Sequence, residues 1–305
     1  VLAGSALLDR YGSADKIIEN DGFKISNKVY SILEGENPTT AAKTAGLGLS
    51  ELSNVFYNLR PDIVITIADR FETISTSLAA AYMNIPLAHI QGGEVSGNID
   101  EKVRHAITKL ADIHFPATKK SSIRLKKILK KKTHIYKVGC PSIDLAKRVR
   151  NRSNLSFDFH KTYNGVGKKI DFSKKYIVVM QHAVTNEYGL GKNQILETYR
   201  AIIKSNLQTI WFWPNSDAGS FEISKILRIK RELNKKELGK IFFVKNMAPE
   251  HFLELVNLSA GILGNSSTAI RECSYLGVPS INIGSRQNGR EMGVNVTSVD
   301  YNNDK

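Results

Sequence analysis

Carboxylates, a histidine and a set of phosphate-matching groups are spaced through this sequence so as to act on an anionic ligand whose chemistry involves proton transfer. The carboxylates are Asp69, Glu94 and Asp100, with Gln91 close by; the histidine is His182. Hydroxyl, amide and guanidinium groups gather at Arg70, Asn215, Ser266, Ser267 and Arg286, with Asp217 and Glu272 among them. Most fall in six short clusters: Ala68-Asp69-Arg70, Gln91-Gly92-Gly93-Glu94, Gln181-His182, Asn215 to Ser220, Gly264 to Ser267, and Gly284-Ser285-Arg286-Gln287. Carboxylates on different loops can occupy different environments and divide acid and base roles. A histidine within hydrogen-bond reach can exchange a proton or donate to a phosphate. The free N–H groups and hydroxyls of Gly264-Asn265-Ser266-Ser267 suit a diphosphate at the positive end of a helix. Arg286 has the fork geometry to hold a phosphate through two hydrogen bonds.

Each residue also has a plain structural reading. Ser266, Ser220 and Asp69 stand where helix caps are favoured. Asn98 and Glu101 have capping-box spacing, and acids in a first helical turn complement the helix dipole, which covers Asp100 and Glu101. Arg104 lies four residues after Asp100 and can pair with it. Arg286 reads equally as a surface-loop arginine and His182 as a hydrogen-bonded core histidine, while His105 and His114 have weaker claims. Several chemistries lack support: there is no metal-ligand set, no Cys–His pair, no Gly-x-Gly-x-x-Gly, no P-loop lysine, and no nucleophile elbow for a Ser-His-Asp arrangement.

Short apolar runs alternate with helix-length amphipathic stretches, the pattern of parallel α/β units. Strands are predicted at Asp62–Ala68, Ile85–Ile90, Ile113–Ala117 and Ile135–Val138, then Tyr176–Gln181, Thr209–Trp213, Ile241–Lys245, Gly261–Leu263, Pro279–Ile283 and Asn295–Val299. Helices are predicted at Glu72–Met83, Asp100–Ala111, Lys119–Leu129 and Ser142–Arg150, then Gly191–Lys204, Ser220–Leu233, Pro249–Leu258 and Ser266–Leu276. The unbroken apolar run DIVITIA predicts a strand covered on both faces. Every cluster sits just after a predicted strand, and ligands of open α/β sheets bind at the carboxyl ends of strands. Polar, glycine- and lysine-containing sequence from 151 to 175 marks a connector, giving domains at 1–150 and 176–305 with a cleft between two parallel sheets. The chain opens directly on VLAGS and stops soon after Asn295–Val299, so it reads as a piece of a longer enzyme.

The 305 residues suit two domains, and the hydrophobic fraction of 42% suits ordinary cores. No apolar run approaches the ~20 residues of a membrane helix. The two cysteines, Cys140 and Cys273, have no metal spacing and fit a reducing cytoplasm. The net charge of +14 raises nucleic-acid binding, but its main cluster (Lys119, Lys120, Arg124, Lys126, Lys127 and Lys130 to Lys132) lacks interleaved aromatics for base stacking. A solvated basic face is the better reading, with no nucleic acid or membrane as partner.

The combined motifs resemble the hydrolysing UDP-N-acetylglucosamine 2-epimerases of sialic-acid biosynthesis, including the epimerase domain of the animal bifunctional epimerase/N-acetylmannosamine kinase. The stretches that carry the resemblance are VLAGSALLDRYG, PDIVITIADRFE, HIQGGEVSGNIDEKVRHAITKLADIHF, VGCPSIDL, QHAVT, WPNSDAGS, GNSSTAIREC and GVPSINIGSRQNGRE, nearly end to end. The resemblance implies two Rossmann-like domains of the glycosyltransferase-B type, with UDP held mainly by the second. It implies a homo-oligomer, a dimer or tetramer, and a reaction without metal or redox cofactor. A base removes the C2 proton and UDP leaves C1 to give a 2-acetamidoglucal. Water then adds to give N-acetylmannosamine. Carried onto this chain, Asp69, Asp100 and His182 are acid–base candidates, and Arg70, Asn215, Ser266, Ser267, Glu272 and Arg286 are nucleotide candidates. Gln91 stands where some relatives have a glutamate treated as catalytic, which brings Glu94 forward, and Ala183 replaces a usual proline. The same chemistry on a bacillosamine-type or GDP-linked sugar, a glycosyltransferase, and a non-catalytic nucleotide-sugar sensor are the competing readings.

Overall fold

The computed structural model describes residues 1–8, 14–67, 70–129, 134–233, 240–302 and 304. The described chain divides into two compact units, the first ending at Pro141 and the second beginning at Ser142.

The first unit opens with β1 (Leu2–Ala3), α1 (Ala14–Asn20) and β2 (Lys28–Val29), in which β1 and β2 pair in parallel. It continues through α2 (Pro38–Leu59), β3 (Val64–Ile67), α3 (Thr73–Tyr82), β4 (Leu87–Ile90), α4 (Ile99–Leu110), β5 (Ile113–Phe115), α5 (Lys119–Leu129) and β6 (His134–Ile135). Strands β3 to β6 form a parallel sheet in sequence order. Helix α2 is absent from the sequence reading, although its start is well marked. Asn37 accepts from the Thr40 N–H at 3.0 Å, Thr40 accepts from the Asn37 N–H at 3.2 Å, and Pro38 occupies the first turn. Its buried stripe runs Thr44, Gly48, Leu52, Val55, Phe56, and the two small members hide the apolar period.

Strand β3 departs from expectation. Val64 and Thr66 are buried, but Ile65 and Ile67 are 58% and 59% exposed. The strand lies at the sheet edge, and its inner face alone joins the core formed by Leu52, Phe56, Ala79, Ala80 and Leu87. The apolar run therefore does not mean coverage on both faces.

The second unit comprises α6 (Pro141–Val149), α7 (Phe159–Thr162), β7 (Gly165–Gly167), β8 (Tyr176–Met180), α8 (Gly191–Ser205), β9 (Gln208–Phe212), α9 (Ser220–Leu233), β10 (Ile241–Val244), α10 (Pro249–Asn257), β11 (Gly261–Gly264), α11 (Glu272–Leu276), β12 (Ser280–Ile283) and β13 (Val296–Val299). The strand order is β13-β12-β11-β8-β9-β10-β7, parallel except for the antiparallel β7 edge. This is a doubly wound sheet whose order reverses between β8 and β11. Along β8, Tyr176 and Val178 enter one core while Ile177 and Val179 enter another on the opposite face. Burial on both faces is why β8, β9 and β10 read as continuous apolar runs.

The unit boundary falls at 141, not 150, and 151–175 is not a free connector. Ala146 and Val149 of α6 pack on Leu253 of α10. Phe159 and Ile170 enter the main core of the second unit, and β7 extends its sheet. The buried carboxylate of Glu254 secures the segment: it accepts from the Ser156 N–H at 2.8 Å, the Ser156 hydroxyl at 2.9 Å and Arg152 at 2.9 Å. Polar composition here reflects hydrogen bonding to a buried acid, so it did not signal a linker. No helix among the described residues is long and apolar enough to cross a membrane.

Candidate active site

In the second unit, the switch point between β8 and β11 gathers most of the predicted ligand-binding residues. Strand β8 delivers Gln181 and His182, and β11 delivers Gly264, Asn265 and Ser266 beside them. The approach is close: Gly264 has φ +129°, and a Cβ there would lie 2.0 Å from the Met180 carbonyl oxygen, so only glycine fits. Asn265, fully buried, clamps the main chain of His182. Its Oδ1 accepts from the His182 N–H at 2.8 Å and its Nδ2 donates to the His182 carbonyl at 2.9 Å. The Asn215 N–H then donates to His182 Nδ1 at 3.3 Å. A ring nitrogen that accepts carries no proton, so with Nδ1 accepting, the imidazole bears its proton on Nε2.

The loop after β9 closes on itself. Asn215 Nδ2 donates to Asp217 Oδ2 at 2.6 Å, and Asn215 Oδ1 accepts from the Asp217 N–H at 3.2 Å and the Ser220 hydroxyl at 3.3 Å. Arg286, from the loop after β12, reaches Asp217 Oδ2 at 3.3 Å and the Asn265 carbonyl at 3.3 Å. Thus His182, Asn215, Asp217, Asn265 and Arg286 form one continuous polar cluster. Its members come from four loops, all at the carboxyl ends of strands.

Two sequence expectations need correction here. Residues 266–276 are not one helix: a 3-10 turn at Ser267–Ala269 precedes the five-residue α11. Ser266 caps that turn by accepting from the Thr268 N–H, so there is no long helix whose N-terminus holds a diphosphate. Ser220 begins α9, and its hydroxyl serves the Asn215 turn.

A cavity of about 330 Å³ opens along the ends of β8 to β11, a size suited to a small-molecule ligand. Met180, Phe212, Trp213, Met247 and Phe252 give it apolar and aromatic walls, while Lys245, Asn246, Thr268 and Glu272 supply polar groups. Phe252 meets Phe212 edge-on at 5.3 Å, and Trp213 stacks on Phe243 at 5.2 Å. Glu272 is only 5% exposed; one oxygen lies 3.5 Å from Arg271, and Oε2 has no hydrogen-bond partner among the described residues. A buried acceptor in that condition has capacity for one more donor, from water or a ligand. The sequence reading found Glu272 but not Met247, Phe252, Trp213 or Lys245. Trp213 and Lys245 close the predicted strands at 209–213 and 241–245, Met247 follows the second and Phe252 lies in α10, and Lys245-Asn246-Met247 shows no acid–base pattern.

A sequence profile described as UDP-N-acetylglucosamine 2-epimerase matches residues 7–305. The chain belongs to this family. It is 33% identical over 294 residues to the UDP-N,N'-diacetylbacillosamine 2-epimerase (hydrolyzing) of Legionella pneumophila, covering 96% of this chain and 75% of that one. It is 29% identical over 301 residues to the UDP-N-acetylglucosamine 2-epimerase of Neisseria meningitidis, covering 99% and 75%. The fold matches that of the Methanocaldococcus jannaschii UDP-GlcNAc 2-epimerase, solved in complex with UDP-GlcNAc and UDP, with TM-score 0.73 at 18% identity over 97% of this chain and 80% of that one. The expected pair of Rossmann-like domains, the glycosyltransferase-B class, is therefore the 2-epimerase fold.

The first unit of this 2-epimerase carries the remaining candidates. Asp69 lies outside the described residues. Arg70 donates to Glu72 at 2.9 Å. Gln91 is buried with φ +62°, its N–H donates to the Phe115 carbonyl at 3.0 Å, and its side-chain amide donates to Cys140 Sγ at 3.1 Å. A glutamate could not make that last bond as an ionised group. The turn is pinned from below: Arg124 donates to the Gly93 carbonyl and Arg104 to the Glu94 carbonyl, the latter at 3.2 Å. Asn98 caps α4 through the Asp100 N–H at 3.1 Å and also donates to the Asp100 carboxylate at 2.7 Å. Glu101 accepts from the Ser96 N–H at 3.1 Å and pairs with His105 at 3.4 Å, so the expected Asn98–Glu101 box is shifted to Ser96.

Proposed function

We propose that this protein is a hydrolysing 2-epimerase of a UDP-linked 2-acetamido sugar, which releases UDP and the C2-inverted free sugar. The observation that carries the reading is the polar cluster at the switch point beside an aromatic-walled cavity. Arg286 and the Nε2–H of His182 are donors for a diphosphate, and charge developing on departing UDP is stabilised by such fixed donors. The hydroxyls of Ser266 and Ser267 add further donors. Glu272 Oε2 is an acceptor for a ribose hydroxyl, and the walls formed by Met247 and Phe252 suit a nucleobase face.

Proton transfer at C2 is assigned to carboxylates of the first unit, Asp69 and Asp100, with Glu94 as the further acid. Loss of the C2 proton and departure of UDP from C1 give a glycal. Addition of water returns a proton to C2 from the opposite face and a hydroxyl to C1. Gln91, engaged with Cys140, is assigned a supporting place in its turn and no proton transfer.

Two donor sugars compete on equal terms. UDP-N-acetylglucosamine is favoured by the motifs, and UDP-N,N'-diacetylbacillosamine by the 33% identical Legionella relative. Incubation with each in D2O, followed by NMR, tests both. The expected result is free UDP and a product deuterated at C2 with inverted configuration. Folded protein that releases UDP from neither sugar would overturn the proposal, and transfer to an acceptor without C2 exchange would make it a glycosyltransferase.

A further inference from the structure

Asp217 poses a problem if it is read as a substrate contact, because a carboxylate against a diphosphate is repelled by it. Its geometry gives it another task. Asp217 is 5% exposed, and one carboxylate oxygen, Oδ2, receives both the Asn215 amide at 2.6 Å and the Arg286 guanidinium at 3.3 Å. The Asn215 amide is thereby committed inward, since its own oxygen also takes the Asp217 N–H and the Ser220 hydroxyl. What the turn presents outward is the Asn215 N–H, and that N–H lies 3.3 Å from His182 Nδ1. The other side of His182 is fixed by the Asn265 clamp. Two chains of contact therefore leave one oxygen: one to the cation, one through Asn215 to the imidazole.

We propose that Asp217 is a positioning residue, holding Arg286 in place and, through the Asn215 turn, fixing His182 in the Nε2–H tautomer. This rests on the proposed function for its effect on turnover, but not for its effect on the histidine. The carboxylate also moderates the positive charge of Arg286. Its removal both loosens the guanidinium and strips away a nearby negative charge. For UDP affinity these changes oppose one another, whereas for turnover the loss of alignment has no offset.

The test uses the whole chain with Asp217→Ala and Asp217→Asn, and Asp171→Asn as an exposed acidic control. Histidine 15N shifts, assigned with His182→Gln, report the tautomer; UDP titration gives Kd; UDP release gives kcat. In the wild type, His182 should show one bare Nδ1 and one protonated Nε2. Asp217→Ala should convert this to a tautomer mixture and lower kcat about 10- to 100-fold, with Kd for UDP within about 3-fold. Asp217→Asn, which keeps an acceptor, should retain the tautomer and lose less kcat. A folded Asp217→Ala protein with the wild-type tautomer would overturn the proposal. So would a fall in UDP affinity of ~10-fold or more with kcat intact, which marks a direct ligand. If Asp217→Ala does not fold, Asp217→Asn decides: unchanged kcat overturns the proposal, and a several-fold fall at constant Kd supports it. Should the wild type release no UDP from any sugar, the proposed function fails alone, and the tautomer still judges Asp217.

Discussion

Under the proposed function, Arg286 and His182 are the side chains that donate to the UDP diphosphate. Charged hydrogen bonds contribute ~1.5–3 kcal/mol each, so Arg286→Ala should weaken UDP binding about 10- to 100-fold. Quenching of tryptophan fluorescence should report this, since Trp213 lines the cavity and is one of only two tryptophans in the chain. A different histidine contributes to the pH dependence of stability. His114 is fully buried on β5, and burial holds its pKa below the usual 6.5, partly offset by the Ala111 backbone and nearby Asp112. The unfolded chain takes up that proton more readily. Stability from this source is therefore complete above pH 6.5 and is lost as pH falls through 6.5 toward the lowered value. Urea midpoints should drop between pH 7 and 5 in the wild type, and His114→Phe should flatten that part of the slope. An equal slope in both proteins would remove His114 as the cause.

At the scale of elements, two junctions set the site and the fold. The close approach of β11 to β8 places the Asn265 clamp against His182. Gly264→Ala forces a Cβ into the Met180 carbonyl at positive φ, and the clamp must shift. A destabilisation of ~3 kcal/mol or more is expected by urea denaturation, with UDP affinity falling in the surviving folded fraction. The second junction is the tie between residues 152–156 and α10. Glu254→Ala removes the acceptor of three bonds and leaves Arg152 and the Ser156 N–H without it. Breaking a buried charged pair costs ~3–5 kcal/mol, less here because Arg152 is partly exposed, so ~2–3 kcal/mol is expected. Limited proteolysis should then cut within residues 150–158 at a protease dose the wild type survives. Both junctions were invisible in sequence for the same reason. Periodicity marks an element and its buried face, but the partner that satisfies a polar group comes from a residue ~80–100 positions away and follows no local pattern.

At the scale of the molecule, the main basic cluster and most of the proposed phosphate donors belong to different units. Helix α5 exposes Lys119, Lys120, Lys126 and Lys127 and carries no acid, whereas the predicted phosphate donors other than Arg70 lie in the second unit. Lys126→Ala with Lys127→Ala should weaken retention on heparin and leave UDP release unchanged; a matching loss of turnover would tie the basic face to catalysis. Local patterning is enough for the class of fold, most strands of both sheets, and the placement of polar clusters at strand ends. Those follow from local burial on one face or two and from short-range turn chemistry. The sequence also marks the family, because the run from His89 to Phe115 is long and specific. Long-range packing is what assigns residues 142–175 to the second unit, turns Ile65 and Ile67 outward, and breaks 266–276 into a turn and a short helix. It also brings Asp217 to face Arg286 and Asn215. Tertiary contacts choose among conformations that local propensity leaves nearly equal in energy, and a carboxylate's task is set by which donors the fold brings within about 3 Å of it.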